Sequence, residues 1–185
     1  MIHKADYYDK VYKRPGHYKK HWKMSPYAQI WRRTLMLIPD GSSILDIGCG
    51  TGQYAAMIEE NKYKKIVYCG VDFSPAAIEI AKKNCKAKFI CEDAFSFKWP
   101  NEIDVAIILE FLEHISDNKL FLERLPQGIK FIASVPNYAS GGHTRIFLSA
   151  QAVKDYYKDI LDITDVQTFH LNDNNQIYLF HGSKK

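Results

Sequence analysis

Ser43-Ile44-Leu45-Asp46-Ile47-Gly48-Cys49-Gly50-Thr51-Gly52 opens with apolar residues suited to a buried parallel strand and closes with three glycines at alternate positions. An amphipathic run, Gln53 to Asn61, follows at once. The order is strand, glycine turn, helix. A turn without Cβ atoms lets a ligand lie against bare backbone. The N–H groups of the first helical turn face the same space.

Outward from this stretch, strands and helices alternate. Upstream, residues 1–24 are dense in Tyr, Lys, His and Trp, with a short helix expected from Ala5 to Val11. The aromatics imply that this arm packs on something, since disordered tails are poor in them. Ser25-Pro26 reads as N-cap and first residue of a helix running to Leu37, which Pro39-Asp40-Gly41 stops. Downstream, strands are expected at 65–72, 87–91, 103–109 and 129–135, with helices after Ser74-Pro75, over 116–125 and after Ser149. The segment between the third and fourth strands is too short for a full helix. Two final strands, about 162–170 and 176–181, flank Asn172-Asp173-Asn174-Asn175, a hairpin turn. The pattern predicts a three-layer α/β sandwich with a seven-stranded, mostly parallel sheet whose last strand is antiparallel.

In an open parallel sheet the ligand lies outside the carboxyl ends of the strands. Asp46, Asp72, Asp93, Glu110 and Asn137 all fall near such ends. Asp72 follows Gly52 by 20 residues, the distance at which an acid closes over ribose hydroxyls. Dinucleotide sites use Gly-x-Gly-x-x-Gly around a pyrophosphate, and a carboxylate such as Asp46 beside a pyrophosphate would repel it. The turn therefore suits a cationic, amino-acid-bearing nucleoside better than NAD.

Leu45-Asp46-Ile47-Gly48-Cys49-Gly50-Thr51-Gly52 resembles the first motif of class I S-adenosylmethionine-dependent methyltransferases. The resemblance covers roughly residues 40–140. It implies a Rossmann-like methyltransferase fold, one domain over 1–185, with residues 40–185 as cofactor core and 1–39 as a basic, aromatic substrate cap. It implies S-adenosyl-L-methionine as cofactor and S-adenosyl-L-homocysteine as product. Asp46, Gly48, Cys49, Gly50 and Gly52 would form the turn under the cofactor. Asp72 would take the ribose diol, Phe73 the adenine face, Asp93 and Ala94 the adenine edge, and Glu110 with Phe111 the methionine part. Methyl transfer is an in-line displacement, so the protein mainly positions the reactants and, for a poor nucleophile, removes a proton. His114 and His143 are the candidate general bases. Tyr8, Tyr12, Trp31, Asn137 and Arg145 are the candidate substrate residues, with Tyr7 beside them in the arm.

Charge and composition narrow the acceptor. Residues 1–33 hold nine basic residues against Asp6 and Asp9, a balance of +7 in a chain of net charge +4. Such a segment attracts an anionic metabolite or a nucleic acid. The strings of base-nitrogen and cytosine-ring methyltransferases, Asn/Asp-Pro-Pro-aromatic and Pro-Cys, are missing: Glu110-Phe111-Leu112-Glu113 stands after the fourth strand. Small-molecule O- or N-methylation is thus the leading reading. An RNA or protein acceptor, or a module that holds the cofactor without turnover, are the alternatives. Cys49, Cys69, Cys85 and Cys91 lack metal or disulfide spacing, so no metal is expected. With no apolar run of membrane length and no secretory hydrophobic region, a cytoplasmic protein is expected.

Overall fold

The structure, a computed structural model, describes residues 5–14, 16–100 and 102–185; the side chains of Ala5, Asp6 and His17 lie outside that description. Two compact units divide the chain at Ile103/Asp104.

The first unit, which ends at Ile103, contains α1 (Ala5–Lys13), α2 (Ala28–Leu37), β1 (Ser43–Ile47), α3 (Gln53–Glu60), β2 (Val67–Asp72), α4 (Pro75–Asn84) and β3 (Lys88–Cys91). Strands β1, β2 and β3 pair in parallel, with Asp46 opposite Gly70 and Asp72 opposite Cys91. Ile44, Leu45 and Ile47 are fully buried, as a strand covered on both faces requires. Ser74 caps α4 as its Ser-Pro signature predicts: the hydroxyl accepts the Ala77 N–H at 3.1 Å.

Ser25-Pro26 does not start α2. Trp22–Met24 form a 3₁₀ turn that the Ser25 N–H closes onto the Trp22 carbonyl at 3.0 Å. The Ser25 hydroxyl accepts the Tyr27 N–H instead, and α2 starts at Ala28. Burial of Trp22 holds that turn, so a tertiary contact displaces the local cap.

The second unit contains β4 (Val105–Leu109), a 3₁₀ turn over Leu112–His114, α5 (Asn118–Glu123), β5 (Lys130–Pro136), α6 (Ala150–Tyr157), β6 (Leu161–His170) and β7 (Gln176–Lys184). The expected helix over 116–125 is thus shorter than its sequence pattern. Ser149 caps α6 as expected, accepting the Ala152 N–H at 3.1 Å. β4 pairs parallel to β5, while β7 runs antiparallel to both β5 and β6. The strand order is β3-β2-β1 in the first unit and β4-β5-β7-β6 in the second, seven strands in all. The α/β sheet with an antiparallel final strand is the one read from the sequence.

Candidate functional site

The glycine turn is built by the end of β1 bonding to β2. Gly48 and Cys49 both donate their N–H to the Val71 carbonyl, at 2.8 and 3.1 Å. Gly48, Gly50 and Gly52 all have positive φ, at 75°, 53° and 71°. Gly52 is also forced by packing: a Cβ there would stand 2.9 Å from the Ala81 Cβ and 3.0 Å from the Phe89 ring. Cys49 is buried at the base of the turn.

Asp72 is fixed by this turn. Its Oδ2 accepts the Gly50 N–H and its Oδ1 the Ser74 N–H, both at 2.9 Å. Burial raises its carboxyl to about 6, against the pull of those two bonds. Asp46 lies within β1, only 4% exposed, and the Tyr68 hydroxyl donates to it at 2.5 Å. Burial raises this acid to about 7.

The N-terminal arm lies on the same turn. The Tyr12 hydroxyl stands 3.3 Å from where a Gly50 Cβ would be. Burial, then the Asp72 charge, raises the Tyr12 hydroxyl above its ordinary value. Tyr8 packs on the Phe73 ring at 5.4 Å. Asp9 accepts the Ser74 hydroxyl and, at 3.2 Å, the Ala76 N–H, so α1 supplies a second cap to α4. Thr51 and Gln53 side chains donate to the Tyr18 and Lys20 carbonyls, each at 2.7 Å. Trp31, on α2, is 9% exposed, its ring between those of Tyr27 and Tyr54 at 6.2 and 6.4 Å. Asp93 is exposed, its Oδ1 accepting the Phe95 N–H at 2.8 Å, while Ala94 is buried.

The second unit gathers another polar cluster. Glu110 has φ of +50°, a conformation rare for a non-glycine residue and concentrated at functional sites. Ser134 secures it from both ends, accepting the Glu110 N–H at 2.9 Å and donating to Oε1 at 2.8 Å. Burial raises Glu110 to about 7. Burial first, and the charge of Glu110 second, raise Glu113 well above the carboxylate range. The His114 and His143 rings meet edge to face at 4.8 Å between centroids. His143 is shifted down by burial. Thr144 ties their loop down, its N–H and hydroxyl both donating to the Glu113 carbonyl. Phe111 packs edge-on against Phe121.

Two further substrate candidates have structural partners. The Asn137 side chain accepts the Gln176 N–H at 2.7 Å and donates to the Asn174 carbonyl at 3.3 Å, fastening the hairpin. Arg145 lies over the Tyr156 ring at 4.3 Å. A surface cavity of about 300 Å³, lined by Lys154, Lys158, Lys185 and their neighbours, contains none of the expected site residues.

Sequence reasoning missed Tyr68, Asp9, Ser134 and the environment of Glu113. Tyr68, Asp9 and Ser134 each act on a residue far along the chain, so no local spacing reveals them.

Residues 44–128 match the family described as "Methyltransferase domain". This stretch is thus similar to a methyltransferase domain over 85 of the 185 residues. The chain is 29% identical over 99 residues to (S)-coclaurine N-methyltransferase of Papaver somniferum, a match covering 50% of this chain and 28% of the relative. It is 34% identical over 98 residues to the mitochondrial ubiquinone biosynthesis O-methyltransferase of Schizosaccharomyces pombe, covering 49% and 35% respectively. The matches thus span only about a third of the length of those relatives. In fold, the chain is similar to the N-methyltransferase NodS from Bradyrhizobium japonicum WM9, solved with S-adenosyl-L-homocysteine. The TM-score is 0.70 at 14% identity, over 96% of this chain and 97% of that one.

Proposed function

We propose that this protein is a methyltransferase that transfers a methyl group from S-adenosyl-L-methionine to an oxygen or nitrogen of a small, anionic metabolite, releasing S-adenosyl-L-homocysteine. The observation that carries the reading is Asp72 held by the Gly50 and Ser74 N–H groups at the mouth of the glycine turn. A carboxylate has about four lone-pair sites, so two backbone donors leave room for a ribose diol. Gly48, Gly50 and Gly52 offer main chain without side chains on which the nucleoside rests. Phe73 supplies an aromatic face beside Asp72, and Asp93 keeps a second carboxylate oxygen for the adenine amine. The buried Asp46, raised to about 7, adds negative charge once it ionises. Family resemblance assigns Glu110 and Phe111 to the methionine part.

When bound, the cofactor supplies the sulfonium methyl and its own leaving group. The chain's residues position and desolvate. Tyr8 and Tyr12 on α1 roof the turn, and residues 1–39 form the cap. His114 or His143 accepts the acceptor's proton where the nucleophile needs a base; burial keeps His143 in the neutral form that role requires. The anionic preference rests on Lys10, Lys13, Lys19, Lys20 and Lys23, all exposed along the arm.

The same lysines support a second reading, an RNA or protein acceptor. One experiment separates the readings. The protein is first melted with S-adenosyl-L-homocysteine and with NAD; only the former raises the midpoint. It is then incubated with methyl-labelled cofactor and cell extract, with and without ribonuclease and after removal of macromolecules. Label in the small-molecule fraction supports the proposal. Label lost with ribonuclease, or retained by protein, replaces it with the second reading. Binding of the nucleoside with no label transferred in any fraction leaves a module that holds the cofactor without turnover.

A further inference from the structure

We propose that Glu113, His114 and His143 form a binding site for a divalent transition-metal ion. One ligand atom from each lies within 4.8 Å of the others. All three belong to the second unit, on the 3₁₀ turn after β4 and the loop after β5.

The two imidazoles are oriented as metal ligands are. His114 Nδ1 lies 3.2 Å from the Gly142 carbonyl, and His143 Nδ1 lies 3.0 Å from the Tyr138 carbonyl. A carbonyl oxygen only accepts, so each Nδ1 carries the proton and each Nε2 carries the lone pair. Donation of the second ring N–H to a backbone carbonyl is the usual outer-shell support of a metal-bound histidine.

Glu113 gives the independent observation. Its side chain has no solvent exposure, and neither carboxylate oxygen has a hydrogen-bond partner. The nearest charged partner is His114 Nε2 at 4.0 Å from Oε1, too far for a hydrogen bond. Leaving a carboxylate buried without a donor costs several kcal/mol. Glu110 aggravates the cost, being a second, half-buried acid close by whose Oε1 accepts the Ser134 hydroxyl. A cation seated between Glu113 and the two Nε2 atoms removes that cost.

The donor set selects the ion. Two imidazoles and one carboxylate suit zinc, iron(II), cobalt(II) or manganese(II), whereas magnesium and calcium prefer oxygen alone. Three protein ligands leave at least one coordination position open, the pattern of catalytic rather than structural sites. Ligands about 2.1 Å from a shared ion sit closer together than 4.8 Å, so loading draws the His143 loop inward by roughly an ångström. With metal on both Nε2 atoms, neither histidine serves as a general base, and the two roles are mutually exclusive.

The test uses the full chain after chelator treatment, titrated with cobalt(II) by visible absorption and with zinc(II) by calorimetry. One ion per chain is expected, with d–d bands of a nitrogen- and oxygen-ligated centre and a zinc-dependent rise in melting midpoint. His143→Ala and Glu113→Gln should each weaken binding by more than about 10-fold, while His170→Ala leaves it unchanged. Glu113→Gln matches the size of the acid and carries no charge, so its metal-free melting midpoint should stay close to that of the parent, which certifies the fold. No stoichiometric ion, or binding retained in both folded variants, overturns the site. These readouts are independent of nucleoside binding, so the site stands or falls apart from methyl transfer.

Discussion

The Tyr12 hydroxyl lies 3.3 Å from the position a Cβ on Gly50 would take, so the bare surface of the glycine turn is roofed by an aromatic ring from α1. The same helix places Asp9 on the α4 N-terminus and Tyr8 on Phe73. Ligand entry to the turn therefore requires α1 to shift. Removing residues 1–14 leaves the buried Trp22 in place and takes away the roof. The truncated protein should bind S-adenosyl-L-homocysteine with a faster on-rate in stopped-flow fluorescence, and should lose methyl transfer. Equal on-rates in the two proteins would mean that α1 does not gate the turn.

Asp72 is both a clamp on the turn and the proposed ribose ligand. Asp72→Asn keeps an oxygen for one backbone N–H but loses the charge-assisted bonds, each worth about 1.5–3 kcal/mol. The affinity for S-adenosyl-L-homocysteine by calorimetry should fall by about 10- to 100-fold. Asp93→Asn, on an exposed acid that bonds its own loop, should fall by less. A reversed order would move the main anchor from the ribose to the adenine.

Gly52 and Gly41 form a matched pair. Both have positive φ, 71° and 78°, yet a Cβ on Gly41 meets nothing within 4 Å while one on Gly52 would collide with Ala81 and Phe89. Gly41→Ala should cost about 1–2 kcal/mol for the left-handed conformation alone. Gly52→Ala adds overpacking of about 1–3 kcal/mol. Urea unfolding should show the larger loss in Gly52→Ala. Equal losses would mean that α3 and α4 yield to the added methyl.

The elements legible in the sequence are those whose cause is local. Strand-turn-helix at 43–61 follows from apolar run and glycines, and the caps at Ser74 and Ser149 follow from residues within three positions. Asp72 was legible because its distance from Gly52 is fixed by one helix and one strand. What was not legible depends on pairing across the fold. Ser25 fails as a cap because Trp22 is buried. Tyr68 reaches Asp46 only through the β1–β2 register. Asn137 fastens to Gln176, 39 residues away. Histidines 29 positions apart, His114 and His143, carry no spacing signal until a loop brings their rings together.

Buried acids give the protein an unusual pH dependence. Asp46 rises from 3.8 to about 7, Asp72 from 3.8 to about 6 and Glu110 from 4.5 to about 7, each chiefly by burial. Between the unfolded and folded values the native state holds more protons than the unfolded chain, so stability decreases as pH rises. This contribution is complete below about pH 4 and is lost as pH passes through 6 to 7. Surface acids shifted down by basic or amide neighbours, such as Glu79 and Asp165, act in the opposite sense below pH 4.5. The melting midpoint of the ligand-free protein at constant ionic strength should therefore peak near pH 4 and fall by several degrees toward pH 8. Asp46→Asn keeps an acceptor for the Tyr68 hydroxyl but removes one titrating group. Its midpoint should fall less over the same interval and should exceed that of the parent at pH 8. A midpoint that rises from pH 5 to 8 in the parent would show that these carboxylates are ionised and compensated in the folded protein.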